Sequence, residues 1–231
     1  MPLQYIALIT GLLPLIFIHA VYLIAANTGY VDWCVPHLDG CTSISKTGRE
    51  GLGHYVFKAT IIPTSVFMMF YWLLLYQWLL KIGDSKSLSN QSLPWLGVLA
   101  GIFLIIYATA LGTDGDFYRN LRRYGIIVFF SATFFAQLLT TWRISQVLKR
   151  TPGAVPRPIF NIKLGFATGQ FFIGLVHLYG EFRLEGEAKD LLVNILEWNV
   201  TVLIMAYPIA TYFAWRATGF KASLTVARGS G

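Results

Sequence analysis

Six long apolar runs constrain the fold of this chain more than any other feature of its sequence. They cover residues 3–26, 55–80, 94–112, 124–148, 158–182 and 189–215. Each run reaches the roughly 20 residues that a helix needs to cross the hydrocarbon core of a bilayer. Backbone polar groups inside lipid must be satisfied internally, and a helix does this within a single segment. The runs therefore predict an all-α, polytopic membrane bundle of six transmembrane helices.

The composition agrees with a membrane protein. Hydrophobic residues make up 55% of the 231 residues, and charged residues make up only 13%, against about 25% in soluble domains. No stretch resembles a soluble domain or a linker long enough to separate two domains, so we expect one transmembrane domain over residues 1–231. Its location is then either a bacterial inner membrane or a eukaryotic endomembrane or plasma membrane.

The charged residues predict how the bundle is oriented. If the N-terminus and the C-terminus are both cytoplasmic, ten of the 11 acidic residues fall on the outer side or in that half of the membrane, and only Asp84 falls on the other. The basic loop from Lys149 to Arg157 then faces the cytoplasm, as the positive-inside rule favours. The net charge of +7 does not indicate nucleic-acid binding, because the basic residues flank apolar runs instead of forming a patch interleaved with aromatic residues.

The first outer loop, residues 27–53, contains the two cysteines of the chain. Cys34 and Cys41 flank the short stretch VPHLDG. An oxidising compartment would let them pair, whereas a reducing one would leave two thiols. Because this loop is outside in the expected topology, we predict a disulfide between Cys34 and Cys41.

Ionisable residues in the outer half of the bundle are the candidate functional groups, because such groups are costly to keep in lipid. Glu197 lies about nine residues into the last helix, which corresponds to a depth of roughly 13 Å. His177 and Glu181 are four residues apart and share one face of the fifth helix. Glu197, or His177 oriented by Glu181, would be the general base of an enzyme. As alternatives, Glu197 could be a structural acid and the other two an ordinary polar helix end.

A second group of residues is expected to bind a ligand at the same side. Arg122 and Arg123 suit a lipid phosphate because the guanidinium fork matches its oxygens, although they fit equally well as anchors at the headgroup level. His19 could instead simply hydrogen-bond a neighbouring helix. The complete set of predicted ligand-binding residues is His19, Lys58, Asp114, Asp116, Arg122 and Arg123.

The sequence contains no recognised motif for a metal or a cofactor. Histidines and carboxylates are suitable zinc ligands, but the segment HLYGE lacks the H-E-x-x-H spacing of a zinc signature. A phosphate-cradling loop and a G-x-S-x-G nucleophile motif are also absent from the sequence. We therefore predict no metal site, and the residues identify neither a cofactor nor a protein partner.

Two short segments, together with the six-helix layout, carry a family resemblance. The first is Ser43-Ile44-Ser45-Lys46-Thr47-Gly48, which leads through Gly51 into Tyr55-Val56-Phe57-Lys58, and the second is Glu197-Trp198 in the last helix. The chain resembles the FRAG/DRAM/SFK family of multipass membrane proteins, which includes damage-regulated autophagy modulators and a Golgi factor for GPI-anchor lipid remodelling. Many members carry a His-Asp-Gly-like segment before the fourth helix, where this chain has Arg122-Arg123-Tyr124-Gly125, so no role of that histidine carries over.

The resemblance implies a link to membrane lipids at the extracytoplasmic face. Combined with the polar residues, it favours a protein with a pocket that opens to the outer leaflet and binds or remodels a membrane lipid. Two alternatives are a non-enzymatic modulator or scaffold, whose polar groups would pair off without an open cavity, and a small transporter, which would need polar residues down to the cytoplasmic face. The sequence shows no such polar set in the cytoplasmic half of the bundle, so we expect that half to lack one. The residues leave open whether the protein is an enzyme.

Overall fold

A computed structural model describes residues 3–221 of the chain, and the sequence over this range folds into helices joined by short connections. The helices are α1 (Gln4–Asn27), α2 (Pro36–Asp39), α3 (Ile44–Thr47), α4 (Gly51–Lys81), α5 (Leu88–Ala110), α6 (Asp116–Arg150), α7 (Arg157–Arg183) and α8 (Gly186–Ala217). Within the described residues, six helices are long and apolar enough to cross a membrane, namely all except α2 and α3. The six predicted spans are confirmed.

The six long helices pack as a ring in the order α1, α4, α5, α6, α7 and α8, with α8 packed against α1. We call the end that carries residues 28–50, between α1 and α4, the loop side, and the other end the opposite side. Ten acidic residues lie toward the loop side and Asp84 lies at the opposite side, as the alternating helix directions require. Which of the two sides faces the cytoplasm stays a prediction.

Glycines at helical spacing bring α4 and α5 together. A Cβ atom built on Gly97 would lie 2.0 Å from Cγ of Trp72, and one on Gly101 would lie 2.6 Å from Cγ of Met69. Small residues at this spacing allow close helix contact in lipid. The similar pair on α7 behaves differently, because a Cβ on Gly165 would meet nothing within 4 Å.

The opposite side contains a buried polar network that the sequence analysis did not anticipate. Lys163 Nζ donates to Thr211 Oγ1 at 2.6 Å and lies 3.4 Å from the ring centre of Tyr207. Thr211 also shares a hydrogen bond with the Tyr71 hydroxyl at 2.9 Å, and Thr141 shares one with the Tyr207 hydroxyl at 2.9 Å. The expectation that the half of the bundle away from the long loop lacks a polar set is therefore wrong. The residues of this network are spread over four helices, so no single segment of the sequence looks polar.

Asp84, the lone acidic residue at the opposite side, belongs to a buried ion pair. Arg143 Nε donates to one carboxylate oxygen of Asp84 at 2.9 Å, and Nη2 donates to the other. Nη2 also donates to the carbonyl oxygen of Ser85 at 3.1 Å. This bidentate arrangement connects α6 to the turn between α4 and α5.

Candidate functional site

The segment between α1 and α4 is a folded lid on the loop side. Cys34 and Cys41 form a disulfide, as predicted. The hydroxyl of Tyr22, near the end of α1, accepts a hydrogen bond from the Cys34 backbone N–H at 2.8 Å and donates to the Cys34 carbonyl at 2.7 Å. The disulfide and this tyrosine together tie the first half of the lid to α1.

Side chains of α8 hold the second half of the lid through its backbone carbonyls. Asn194 Nδ2 donates to Gly40 at 2.8 Å, and Trp198 Nε1 donates to Thr42 at 2.9 Å. Gly40 has a positive φ of 64°, and a Cβ atom there would lie 2.3 Å from the carbonyl oxygen of Leu191. Glycine therefore allows the lid to lie directly against α8.

The two segments that carry the family resemblance contact each other. Ser43 caps α3, its Oγ accepting from the Lys46 backbone N–H at 3.1 Å. The backbone of Ile44 and Ser45, in the first turn of α3, lies close to the Glu197 carboxylate on α8. Trp198, the next residue, holds the lid through Thr42. The SISKTG segment and the Glu-Trp pair are thus two halves of one structural unit.

A cavity of about 620 Å³ lies next to this unit, between α6, α7 and α8. Its polar end is at the lid, where it is lined by Ser45, Arg49, Tyr107, Arg122, Arg123, His177 and Glu197. Most of the remaining wall is apolar, with Ile126, Ile127, Phe130, Phe134, Phe171, Ile173, Leu175, Val193, Leu196, Val200 and Ile204. The cavity is therefore amphipathic along its length.

Gln170 forms the cavity floor, where it pairs with Gln137 and so joins α7 to α6. Gln170 Nε2 donates to Gln137 Oε1 at 2.7 Å, and Gln137 Nε2 donates to the carbonyl of Ile204 at 3.0 Å. Along α6 the lining runs from Arg122 to Phe134, which at about 1.5 Å per residue is roughly 18 Å. Half of a hydrocarbon core about 30 Å thick is about 15 Å, so the cavity spans about one leaflet.

Several wall residues are also exposed on the outer surface of the bundle. Ile127 is 50% exposed, Phe171 is 51% exposed and Leu175 is 46% exposed, although all three line the cavity. α7 is the least buried of the six long helices. The cavity is therefore open sideways, between α6 and α7, to the medium that surrounds the bundle.

The polar end carries more positive than negative side chains. Arg122 is fixed in place, because its Nη1 donates to the carbonyls of Ala110 at 3.0 Å and Thr113 at 2.6 Å at the end of α5. Arg49 and Arg123 are exposed, and neither forms a salt bridge within residues 3–221. These three arginines face a single carboxylate, that of Glu197, among the lining residues.

Four of the predicted site residues converge at this cavity. Glu197, His177, Arg122 and Arg123 all line it, although they come from three helices. The lid packs against α8 beside Glu197, and His177 lies on α7, as does Gln170. Glu181 does not line the cavity, and its carboxylate accepts a hydrogen bond from Lys189 Nζ at 2.8 Å.

The other predicted ligand-binding residues lie elsewhere. Asp114 and Asp116 are exposed, and Asp116 pairs with Arg119 one turn further along α6. Lys58 is on α4 and does not line the cavity. Sequence spacing placed these residues toward the loop side, but it did not establish which way each side chain points.

His19 belongs to a separate aromatic cluster behind the lid. Its Nδ1 lies 2.7 Å from the Leu15 carbonyl oxygen and therefore carries a proton, and its Nε2 shares a hydrogen bond with His37 Nε2 at 3.0 Å. The two rings stack with centres 5.3 Å apart, and both contact Trp198. Burial, followed by the nearby His19 ring, lowers the pKa of His37 below its usual range. His37 was not among the predicted site residues.

Three residues of the polar end were missed by the sequence analysis, namely Ser45, Arg49 and Tyr107. Ser45 and Arg49 were read as loop residues, and the fold of the lid brings them to the cavity. Tyr107 is a tyrosine in an apolar helix, which is a common packing residue. Among residues 3–221, no three His, Cys, Asp or Glu side chains lie close enough together to hold a metal ion.

The fold and the comparisons together give the class and the family. Six apolar helices make the chain an integral, multipass membrane protein. The family model for the Frag1/DRAM/Sfk1/Cwh43P N-terminal domain matches residues 2–217, so the chain belongs to that family. No curated protein and no solved structure matches the chain.

Proposed function

We propose that this protein binds one membrane lipid in the cavity between α6, α7 and α8, with the headgroup at the polar end under the lid. The observation that carries the proposal is the order of polar and apolar side chains along the cavity. Charged and hydroxyl groups lie at the lid, and apolar side chains line the wall below them. A lipid has the same order of polar head and apolar chain, so its two parts would meet matching surfaces.

The sideways opening favours a lipid over a water-soluble ligand. Wall residues that are half exposed between α6 and α7 face acyl chains when the protein is in a bilayer. A lipid could therefore pass from the leaflet into the cavity without its chain crossing water. Burial of apolar surface is the main favourable term in ligand pockets of this size.

Glu197 would contact the headgroup directly. Its carboxylate lies close to the lid backbone at Ile44 and Ser45, and it is the one acidic side chain among the lining residues. In a binding protein it would accept hydrogen bonds from headgroup hydroxyl or amine groups. If the protein also remodels the lipid, Glu197 would be the general base, and His177 would act without Glu181, which pairs with Lys189.

A small transporter is the second candidate. The polar residues of the opposite side, which continue from Gln137 through Tyr207 to Lys163, favour it, because a transporter needs polar groups beyond the first leaflet. Lys163 and Tyr207 are fully buried, so transport would require α7 to move away from α8. Lipid binding needs no such movement.

The sharpest test of lipid binding fills the cavity. Gly174 lines it, and a Cβ atom there would meet nothing within 4 Å, so Gly174→Phe should fold and occupy the space of the lipid. Gly165→Phe is the matched control, because Gly165 lies on the same helix, also has open space around it and does not line the cavity. Native mass spectrometry of gently extracted protein should show a bound lipid in the wild type and the control but not in Gly174→Phe. Equal occupancy in all three would contradict the proposal.

Substitution of the acid separates its two possible roles. If Glu197 contacts the headgroup, Glu197→Gln should insert and fold normally but lose bound lipid or turnover, because the amide cannot offer two acceptor oxygens. If it only holds the lid, the same change should lower the thermal midpoint and leave lipid binding per folded molecule intact. Glu181→Gln is the control, since Glu181 lies outside the cavity.

A further inference from the structure

We infer that the ligand is an anionic phospholipid, whose phosphate is held by Arg49 of the lid and Arg123 of α6 and one of whose chains lies in the cavity. This inference rests on the proposed function, because it specifies which lipid the same cavity binds. Arg49 was not among the predicted ligand-binding residues, and it adds a positive charge from the lid to those of the arginines on α6.

The charge at the polar end favours an anion. Three arginines and one carboxylate line it, which leaves an excess of positive charge near the level of the headgroups. Arg122 uses its Nη1 on the two carbonyls that end α5, so it contributes charge without offering its full fork. Arg49 and Arg123 form no salt bridge in the part of the chain that the structure describes. Arginine forks bind phosphate oxygens through paired, charge-assisted hydrogen bonds.

A buried hydroxyl at the same end points to a ligand independently of the arginines. Tyr107 is only 4% exposed, and its hydroxyl forms no hydrogen bond with any residue in the range 3–221, although Ser45 lines the same end of the cavity. Arg49, Arg122 and Glu197 line the same end of the cavity as Tyr107, so the tyrosine lies among the charged groups. A buried donor without a partner costs free energy, and a phosphate or ester oxygen of a bound lipid would accept its proton.

The dimensions of the cavity fit one chain of such a lipid. Its length matches one leaflet, and its volume of about 620 Å³ lies in the range of about 300–1,000 Å³ that pockets for drug-sized ligands occupy. The second chain of a phospholipid would then remain between α6 and α7, in contact with the half-exposed wall. The glutamine floor would stop the inserted chain near the middle of the membrane.

Competition between headgroups in nanodiscs tests the inference. The full-length protein is placed in phosphatidylcholine nanodiscs that contain small amounts of phosphatidylglycerol, phosphatidic acid or diacylglycerol, and the retained lipid is measured by native mass spectrometry. We expect the two anionic lipids to be enriched over phosphatidylcholine and diacylglycerol by about tenfold or more. One or two additional charge-assisted hydrogen bonds strengthen binding by about this factor. Inorganic phosphate and glycerol phosphate, added to the buffer, should not displace them, because they have no chain to bury.

Variants of the arginines separate this inference from the proposed function. Arg49→Gln and Arg123→Gln should reduce the anionic enrichment toward unity, and the corresponding lysine variants should restore part of it. Arg119→Gln is the control, because Arg119 is on the same helix as Arg123, pairs with the exposed Asp116 and does not line the cavity.

An unchanged enrichment in both glutamine variants, with Gly174→Phe still losing all lipid, would overturn the inference and leave lipid binding intact. Lipid retained in Gly174→Phe would instead overturn the proposed function. Displacement by glycerol phosphate alone would show a soluble phosphate ligand and overturn the lipid assignment.

Discussion

The loop side and the opposite side of this bundle use similar polar residues in opposite ways. At the opposite side, Arg143 pairs with Asp84, and Lys163 is enclosed by Tyr207 and Thr211. At the loop side, Arg49 and Arg123 have no such partner within the described residues, and a cavity separates the helices. Buried charge that is paired holds helices together, whereas charge left unpaired beside open space is available to a ligand.

The largest expected loss of stability comes from breaking the ion pair at the opposite side. Arg143→Met removes the guanidinium that binds both carboxylate oxygens of the buried Asp84, and removing one partner of a buried ion pair typically costs about 3–5 kcal/mol. We expect a large drop in the thermal midpoint of the purified protein. Arg150→Met, on an exposed residue of the same helix, should change stability by less than about 0.5 kcal/mol. If the two variants have the same midpoint, the ion pair does not stabilise the bundle.

Reduction of the disulfide should loosen the loop side alone. Cys34 and Cys41 close a short loop, so replacing both by serine should cost about 2–3 kcal/mol through the unfolded state. Hydrogen exchange should increase at Ser43–Gly48, because the lid before it is no longer held together. Exchange in the connection at residues 151–156, on the opposite side, serves as the internal control. A uniform increase over both sides would mean that the lid is not an independently held unit.

Acidification should have the smallest effect, again confined to the loop side. The pKa of His37 is lowered on folding, so the unfolded chain binds more protons as the pH falls through the usual histidine range near 6.5. The stability contribution of His37 is therefore present above that range and is lost as the pH falls toward the lowered value. The thermal midpoint should be measured from about pH 7.5 to about pH 5, a range that spans the ordinary histidine pKa of about 6.5. Over this range it should decrease more in wild type than in His37→Asn. Parallel curves would contradict this origin.

Sequence reasoning predicted the features that depend on single segments. The six spans follow from the length and apolarity of each run, and the disulfide follows from two cysteines in one loop. The depth of Glu197 and of His177 followed from counting residues along each helix. These predictions needed no knowledge of how the helices pack against one another.

The missed features all depend on helix rotation or on the path of the lid. Membrane helices are apolar on the face toward lipid as well as on the face toward the core, so periodicity does not identify the buried face. Glu181 and Lys58 lie at suitable depths but do not line the cavity, for this reason. Arg49 reaches the cavity only because the lid folds onto α8, a contact between residues far apart in the sequence.

The contact between the SISKTG segment and the Glu-Trp pair also sets the order of assembly during synthesis. Ile44 and Glu197 are about 150 residues apart in the chain, and at about 5–20 residues per second the ribosome takes roughly 8–30 s to synthesise that interval. Cys34 and Cys41 emerge together with the lid, so they can be oxidised during this delay, before α8 exists. The polar end of the cavity therefore cannot form until α8 has been synthesised, and a chain interrupted before this helix would have an oxidised lid without the α8 residues that it packs against.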